Sequence, residues 1–262
     1  MVIGGFDTPC ENHAGLLNHR IRFGDCVDYN LGNHKNIQPQ TIAQTLLQFH
    51  YVKTLVLCDD YWHPARVPRE GLNPLKEQGF TFDWIEDARE WSAERMAAYP
   101  LVILTKSNHV SSADKSAWMT EEVESAFADY VRKGNGLLAI HSGTADYQEK
   151  TILRSLLGGV FTHHPDQCVV TIEPQTSHSL TTDVAPFAVK DEHYFMAMYD
   201  SQADVFMTTR SEYGEQPAGW RRTEGDGRVA VLTPGHNLEV WLHPSYQALL
   251  LNTLRWCGDM SL

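Results

Sequence analysis

The chain has 262 residues, a formal net charge of −12, and 42% hydrophobic residues that include seven Trp and ten Phe. That much apolar side chain can build a sizeable core, which argues against disorder. The acidic balance argues against nucleic acid as a partner, because like charge repels a phosphate backbone. The five cysteines are widely spaced and form no C-x-x-C pair, so neither a disulfide framework nor a cysteine-rich zinc site is expected.

The N-terminus "MVIGGFDTPCENHAG" lacks the basic segment and apolar run of a signal peptide, and no apolar stretch is long enough to span a bilayer. The expectation is a cytoplasmic protein with no membrane partner. Residues 1–50 are rich in Asn, His and Gly and lack clean periodicity. They read as an irregular extension on a main domain of residues 51–262, either a cap over a pocket or an arm onto a partner subunit. A homo-oligomer is the expected assembly. Ile42, Leu46 and Phe49 share one face of a helix predicted over residues 38–50.

From there the pattern becomes regular. "KTLVLCDD" is a buried strand ending in acids. "REGLNPLKEQG" is a short helix kinked by Pro74 and stopped by Gly79. "FTFDWIED" alternates as a strand, and "SAERMAAY" starts a helix from Ser92. "LVILT" is a third strand. "TEEVESAFADYVRKG" is the clearest helix, with acids in its first turn, bases in its last and a closing Gly. "GLLAIHSGTA" is a fourth strand that runs into His141. "CVVTIEP", "FAVKDEHYF", "ADVFMTT" and "GRVAVLTPGH" read as further strands, and "PSYQALLLNTLRWC" as a closing helix.

Apolar strands alternating with helices imply an α/β domain whose mostly parallel sheet is covered on both faces. Ligands of such sheets bind beyond the carboxyl ends of the strands. That rule gathers Asp59, Asp60, His63, Ser107 to His109, and His141 at one edge. His236 follows another strand, where Gly235 lets the backbone turn.

Imidazole suits this position chemically. It is a zinc ligand, a base near neutral pH, and a hydrogen-bond donor to sugar hydroxyls. His63, His141 and His236 form the candidate metal set, with Glu192 as a nearby carboxylate. A divalent metal, zinc or manganese, is the cofactor this set suits. No H-E-x-x-H motif is present, so distant segments must assemble it. Asp59, Asp60, Trp62, His63, Tyr194 and His243 are candidate substrate contacts, with Trp62 offering a stacking face. Within "KDEHYF", alternation puts Glu192 and Tyr194 on one side and Asp191, His193 and Phe195 on the other. Each histidine has a plainer reading as a loop hydrogen-bonder or helix cap, and Asp59 as a strand-end acceptor. "EGDG" precedes a strand rather than opening a helix, so no nucleotide cofactor is expected.

"GLLAIHSGTA", "SHSL…FAVKDEHYF" and "GRVAVLTPGH…WLHPSYQALLLNTLRW", with "LVLCDDYWHP" before them, together resemble the ThuA-like family, named for trehalose utilisation. The resemblance covers roughly residues 53–258 in matching order. It implies the class I glutamine amidotransferase-like fold, a flavodoxin-like three-layer sandwich. In the amidotransferases the elbow after the strand carries a cysteine, completed by a later His and Glu. Here the elbow holds His141, while "GHNLE" supplies His236 and Glu239 without a thiol partner. Glutaminase activity is therefore not expected.

The resemblance points instead to catabolism of trehalose-like disaccharides or their 3-keto forms, a small-molecule sugar substrate. His141, Glu192 and His236 are the expected acid–base residues, and His63 and His243 match the family's motifs beside them. Two other readings stay open: a non-catalytic sugar-binding or regulatory protein, and a metal-dependent hydrolase of unrelated substrates.

Overall fold

The computed structural model describes residues 51–260. The expected extension, its role as cap or arm, and the helix over residues 38–50 lie outside the described residues. The chain divides between Gln48 and Phe49, and the second unit is described here.

Among the described residues, eleven strands and six α-helices follow one another. Strands β1 (Val52–Leu57), β2 (Phe80–Ile85), β3 (Leu101–Leu104), β4 (Gly136–Ile140) and β11 (Gly227–Leu232) pair in parallel in the order β2-β1-β3-β4-β11. With β11 counted as the fifth strand, this is the 2-1-3-4-5 order of flavodoxin-like sheets.

The expectation of a mostly parallel sheet needs correction. The sheet has nine strands, and beyond β11 it continues through β10 (Gly214–Glu224), β9 (Asp204–Ser211), β6 (Cys168–Pro174) and β7 (Phe187–Asp191). All of those pairings are antiparallel. The sheet is therefore mixed. The reason is local: β10 and β11 are joined by a tight turn in which Gly225 takes φ 59°, and a hairpin reverses strand direction where a crossover helix would preserve it.

Along β1, β3, β4 and β11 successive side chains point to opposite faces, and both faces are covered. Val56, Ile103, Ile140 and Leu232 pack with Leu72 of α1 (Arg66–Leu72), Trp241 of α5 (Leu238–Leu242) and Leu250 of α6 (Pro244–Cys257). Leu57, Val102, Ala139 and Val231 pack with Met96 of α2 (Ala93–Ala97), Phe127 of α3 (Glu121–Arg132) and Leu157 of α4 (Thr151–Leu157). This is why these strands read as continuous apolar runs rather than alternating ones.

The helix signals are seated as chemistry requires. Ser92 Oγ accepts from Arg95 N–H, and Thr120 caps α3 through the N–H of Val123. Pro74 ends α1, which passes into a 3-10 turn over Asn73–Gln78, and Gly79 closes it at φ 93°. No helix among the described residues is long and apolar enough to cross a membrane.

"FAVKDEHYF" is not one strand. β7 ends at Asp191, and Phe195 opens β8 (Phe195–Met198), which pairs with β5 (Gly159–His163) in a separate two-stranded sheet. Glu192, His193 and Tyr194 form the crossing between the two sheets. They are polar because they leave the ladder there.

One buried cation binds the carboxyl ends of the first three strands together. Lys106 is fully buried, and its ammonium donates to the carbonyls of Cys58 (3.3 Å), Glu86 (2.9 Å) and Asp59. Burial pushes its pKa below the ordinary lysine value. Lys106→Met keeps the volume but leaves those carbonyls unpaired. Stability is expected to fall by about 2–4 kcal/mol, read as a lower urea midpoint with an unchanged m-value. An unchanged midpoint would show that water satisfies the carbonyls instead.

Candidate active site

Three strand ends deliver the three histidines. After β1 the chain turns at Asp59, which takes φ 68°. Asp60 then organises the loop. Its buried carboxylate accepts from the backbone N–H of Trp62 (2.9 Å), His63 (3.1 Å) and Ser107 (2.9 Å), and from His63 Nδ1 at 2.8 Å. Burial alone would raise the Asp60 pKa. The bond from His63 and those backbone donors outweigh it and hold the carboxyl well below the usual range. With Nδ1–H committed to Asp60, His63 carries its free lone pair on Nε2.

After β4, His141 sits at φ 49°, an uncommon conformation for a residue with a side chain. A 3-10 turn over His141–Thr144 follows, closed by Thr144 Oγ1 donating to the His141 carbonyl at 2.8 Å. Gly143 is required here, since a Cβ would lie 1.9 Å from the Leu104 carbonyl oxygen. His141 Nδ1 donates to the Thr233 carbonyl at 2.8 Å, which again leaves Nε2 as the acceptor. Tyr194 stacks on the ring at a centroid distance of 4.0 Å. Burial pushes the His141 pKa down, although the Glu192 carboxylate opposes it.

After β11, the backbone N–H groups of Gly235 (2.8 Å), His236 (3.0 Å) and Asn237 (3.2 Å) all donate to the carboxylate of Asp191. Asp191 is fully buried, and that burial raises its pKa. The loop that presents His236 is therefore built around a carboxylate from the end of β7.

The three rings meet edge to face. Their centroids are 5.0 Å (His63–His141), 5.0 Å (His63–His236) and 5.5 Å (His141–His236) apart. Glu192 completes the group, with Oε2 3.3 Å from His141 Nε2 and Oε1 3.1 Å from His236 Nδ1. One ligand atom from each of His63, His141, Glu192 and His236 lies within 4.8 Å of every other. His63 Nε2, His141 Nε2 and His236 Nδ1 are buried without a hydrogen bond. Burial would raise the Glu192 pKa, but the two histidines beside it hold the carboxyl well below its usual range. Burial would lower the His236 pKa, but Glu192 overrides it and raises it.

The cluster opens into a cavity of about 370 Å³ lined by Trp62, Phe161, Tyr194, His164, Ser107, Ala145 and Asp146 beside His63, Glu192 and His236. Trp62 is exposed at 61% and meets Tyr61 edge to face.

Other expected contacts lie elsewhere. His243 stacks on Phe187 at 3.8 Å and caps α6 through the N–H of Ser245. Asp59 accepts from the backbone N–H of Ala65 and Ser112. Asp60 touches His63 rather than the cavity. These three have the plainer roles of cap and loop acceptor. Glu239 is exposed on α5. The sequence reading passed over Asp191, Asp146 and Phe161. Asp191 carried one signal, an acid among the apolar residues of a strand.

The ThuA family, described as trehalose utilisation, matches residues 30–257. The chain belongs to the ThuA family. A ThuA-like protein from Parabacteroides merdae superposes with a TM-score of 0.62 at 16% identity, covering 79% of this chain and 90% of that one. One from Bacteroides uniformis gives 0.59 at 19%, covering 78% and 90%. A protein of Salmonella typhimurium LT2 described as cytoplasmic gives 0.61 at 15%, covering 78% and 99%. At such identities these three likenesses speak to the fold alone. No curated protein matches the chain.

Asp191→Ala should leave three N–H groups without their acceptor at once, one buried and two half-buried. A loss of about 3 kcal/mol or more is expected, with faster amide hydrogen exchange at His236 and Asn237 than at β4. Uniform protection across both segments would contradict the role given to this carboxylate.

Proposed function

We propose that this ThuA protein is a cytoplasmic enzyme of carbohydrate catabolism that acts on trehalose-like disaccharides or their 3-keto forms. The observation that carries the reading is the convergence of three buried ring nitrogens and one carboxylate beside an aromatic-walled cavity. The family's description as trehalose utilisation supports the substrate class. The described cysteines, Cys58, Cys168 and Cys257, are free thiols, which suits a reducing compartment.

The donor set fits a divalent cation, zinc or manganese. A buried acceptor without a donor is costly, and two of these lone pairs face a carboxylate. His63, His141 and His236 would hold the ion. The Asp60–His63 and Thr233–His141 bonds supply the outer-shell support that orients imidazole ligands. A cation bound there supplies Lewis acidity toward a sugar carbonyl. Trp62 stacks on the apolar face of a sugar ring, and Tyr194 and Phe161 keep water from the floor of the cavity. Glu192 takes a proton from the carbon beside a keto group, which the ketone makes acidic. Glutamine is not a substrate on this reading. The elbow presents a sealed imidazole in place of a thiolate.

Metal analysis of protein purified without a His-tag tests the centre. About one zinc or manganese per chain is expected, lost in His141→Ala. Asp60→Asn should weaken binding about 10–100-fold, as outer-shell changes do. Metal-free protein that still consumes a keto-disaccharide at full rate would exclude the cation. Binding of sugar without turnover would leave a sugar-binding protein.

A further inference from the structure

Eliminating an alcohol from a 3-keto-sugar takes two proton transfers, one from carbon and one to the leaving oxygen. Glu192 serves the first on the reading above, and the three histidines are committed as ligands. The same cavity carries a second acid–base unit that the cluster leaves unused.

Beyond β3 the chain passes through Lys106 to Ser107, which lines the cavity. Ser107 Oγ lies 3.2 Å from His109 Nδ1. His109 Nε2 lies 3.7 Å from the carboxylate of Asp146, another lining residue. Asp146 adopts φ 62°, an uncommon conformation for a residue with a side chain. The ring has an oxygen partner at each nitrogen, and with Nδ1–H donating to Ser107 Oγ the serine's own O–H is free for a leaving oxygen.

Ser107 is fixed in place. Its N–H donates to Asp60 at 2.9 Å, and its carbonyl accepts from Trp118 Nε1 at 3.0 Å. Among the described residues, no hydrogen bond or ion pair directly joins the side chains of Ser107, His109 or Asp146 to the four cluster residues. His164, the remaining imidazole of the cavity, lies 3.6 Å from Glu192 instead. The acid–base unit built independently of the cluster is Ser107–His109–Asp146.

We infer that this trio is the acid half of the site. Ser107 is the catalytic contact, and His109 and Asp146 position and supply its proton. The assignment rests on the keto-sugar reading above and takes elimination as its reaction. In the step, Glu192 takes the hydrogen of the carbon beside the ketone. The electron pair of that C–H bond forms a carbon–carbon double bond to the neighbouring anomeric carbon. The anomeric C–O bond breaks and its pair goes to the leaving oxygen. That oxygen takes the Ser107 hydroxyl proton as Ser107 takes the Nδ1 proton of the His109 imidazolium. Solvent then reprotonates His109 and removes the proton from Glu192. The products are an unsaturated keto-sugar and a free alcohol.

Two probes isolate the acid. In 3-ketotrehalose the leaving group is a sugar hydroxyl that must be protonated. In 4-nitrophenyl 3-keto-α-glucoside it is a phenolate that leaves unaided. For Ser107→Ala and His109→Gln, glucose release should fall about 100–1000-fold, while nitrophenolate release stays within a few-fold and bound metal is unchanged. Asp146→Asn, at a side chain 54% exposed and so safe for folding, should show the same selectivity more weakly. Equal losses on both probes in all three variants would reduce the trio to a structural role. No loss on either would overturn the assignment alone. Wild-type protein inert to both probes would overturn the keto-sugar reading and this step with it.

Discussion

Two buried aspartates hold this site together. Asp60 gathers three backbone N–H groups and one imidazole, and Asp191 gathers three backbone N–H groups. Each stands at the end of a strand, and each fixes a loop that presents a histidine. A carboxylate can do this because it offers about four acceptor sites and is strengthened by its charge. A neutral amide in the same place would offer fewer acceptors and an unwanted donor. The strands supply position to within a few ångströms. The aspartates supply the rest, by making the loop backbone part of a closed hydrogen-bond set rather than a solvated connection.

The arrangement has an electrostatic consequence. Backbone dipoles stabilise a buried carboxylate without cancelling its charge. Asp60, Asp191 and Glu192 thus place negative charge around three rings, and burial drives one of those rings, His141, toward its neutral form. Lys106 spends its donors on three carbonyls at the strand ends. A site of imidazoles amid buried carboxylates is arranged to receive positive charge. Raising the His236 pKa is what the protein alone can do about that field. A divalent cation would answer it more completely.

The parallel half of the fold was legible because strands buried on both faces read as unbroken apolar runs, and the helices between them carry their caps in sequence. The antiparallel half was harder. β10, "GEQPAGWRRTE", contains Pro217 and two glycines and is irregular around Gly219, so its residues advertise a turn more than a strand. β5 and β8 are short and belong to a separate ladder, whose pairing no local pattern announces. At the site, strand-end logic found His63, His141 and His236, since it needs only chain order. It misplaced His243, because a histidine that caps a helix and one that faces a cavity look alike until the third dimension separates them. Asp191 escaped notice for a related reason. Its partners are 44 to 46 residues away, and they are backbone groups, which any sequence would provide.

The elbow is where fold and chemistry part most clearly. A tight turn follows β4 at His141, with its positive φ and the close approach at Gly143. A nucleophile needs an open path for its target. His141 is 1% exposed, covered by Tyr194 on one face and tethered through Nδ1 to the Thr233 carbonyl. No substrate carbonyl could reach the ring. What the strained turn delivers is a single nitrogen, Nε2, aimed where two other ring nitrogens and a carboxylate converge. The cost of the conformation, of order 1–3 kcal/mol, is therefore spent on direction rather than on access. Direction matters to a ligand or to an orienting group, and it would be wasted on a side chain that had to be approached from solvent.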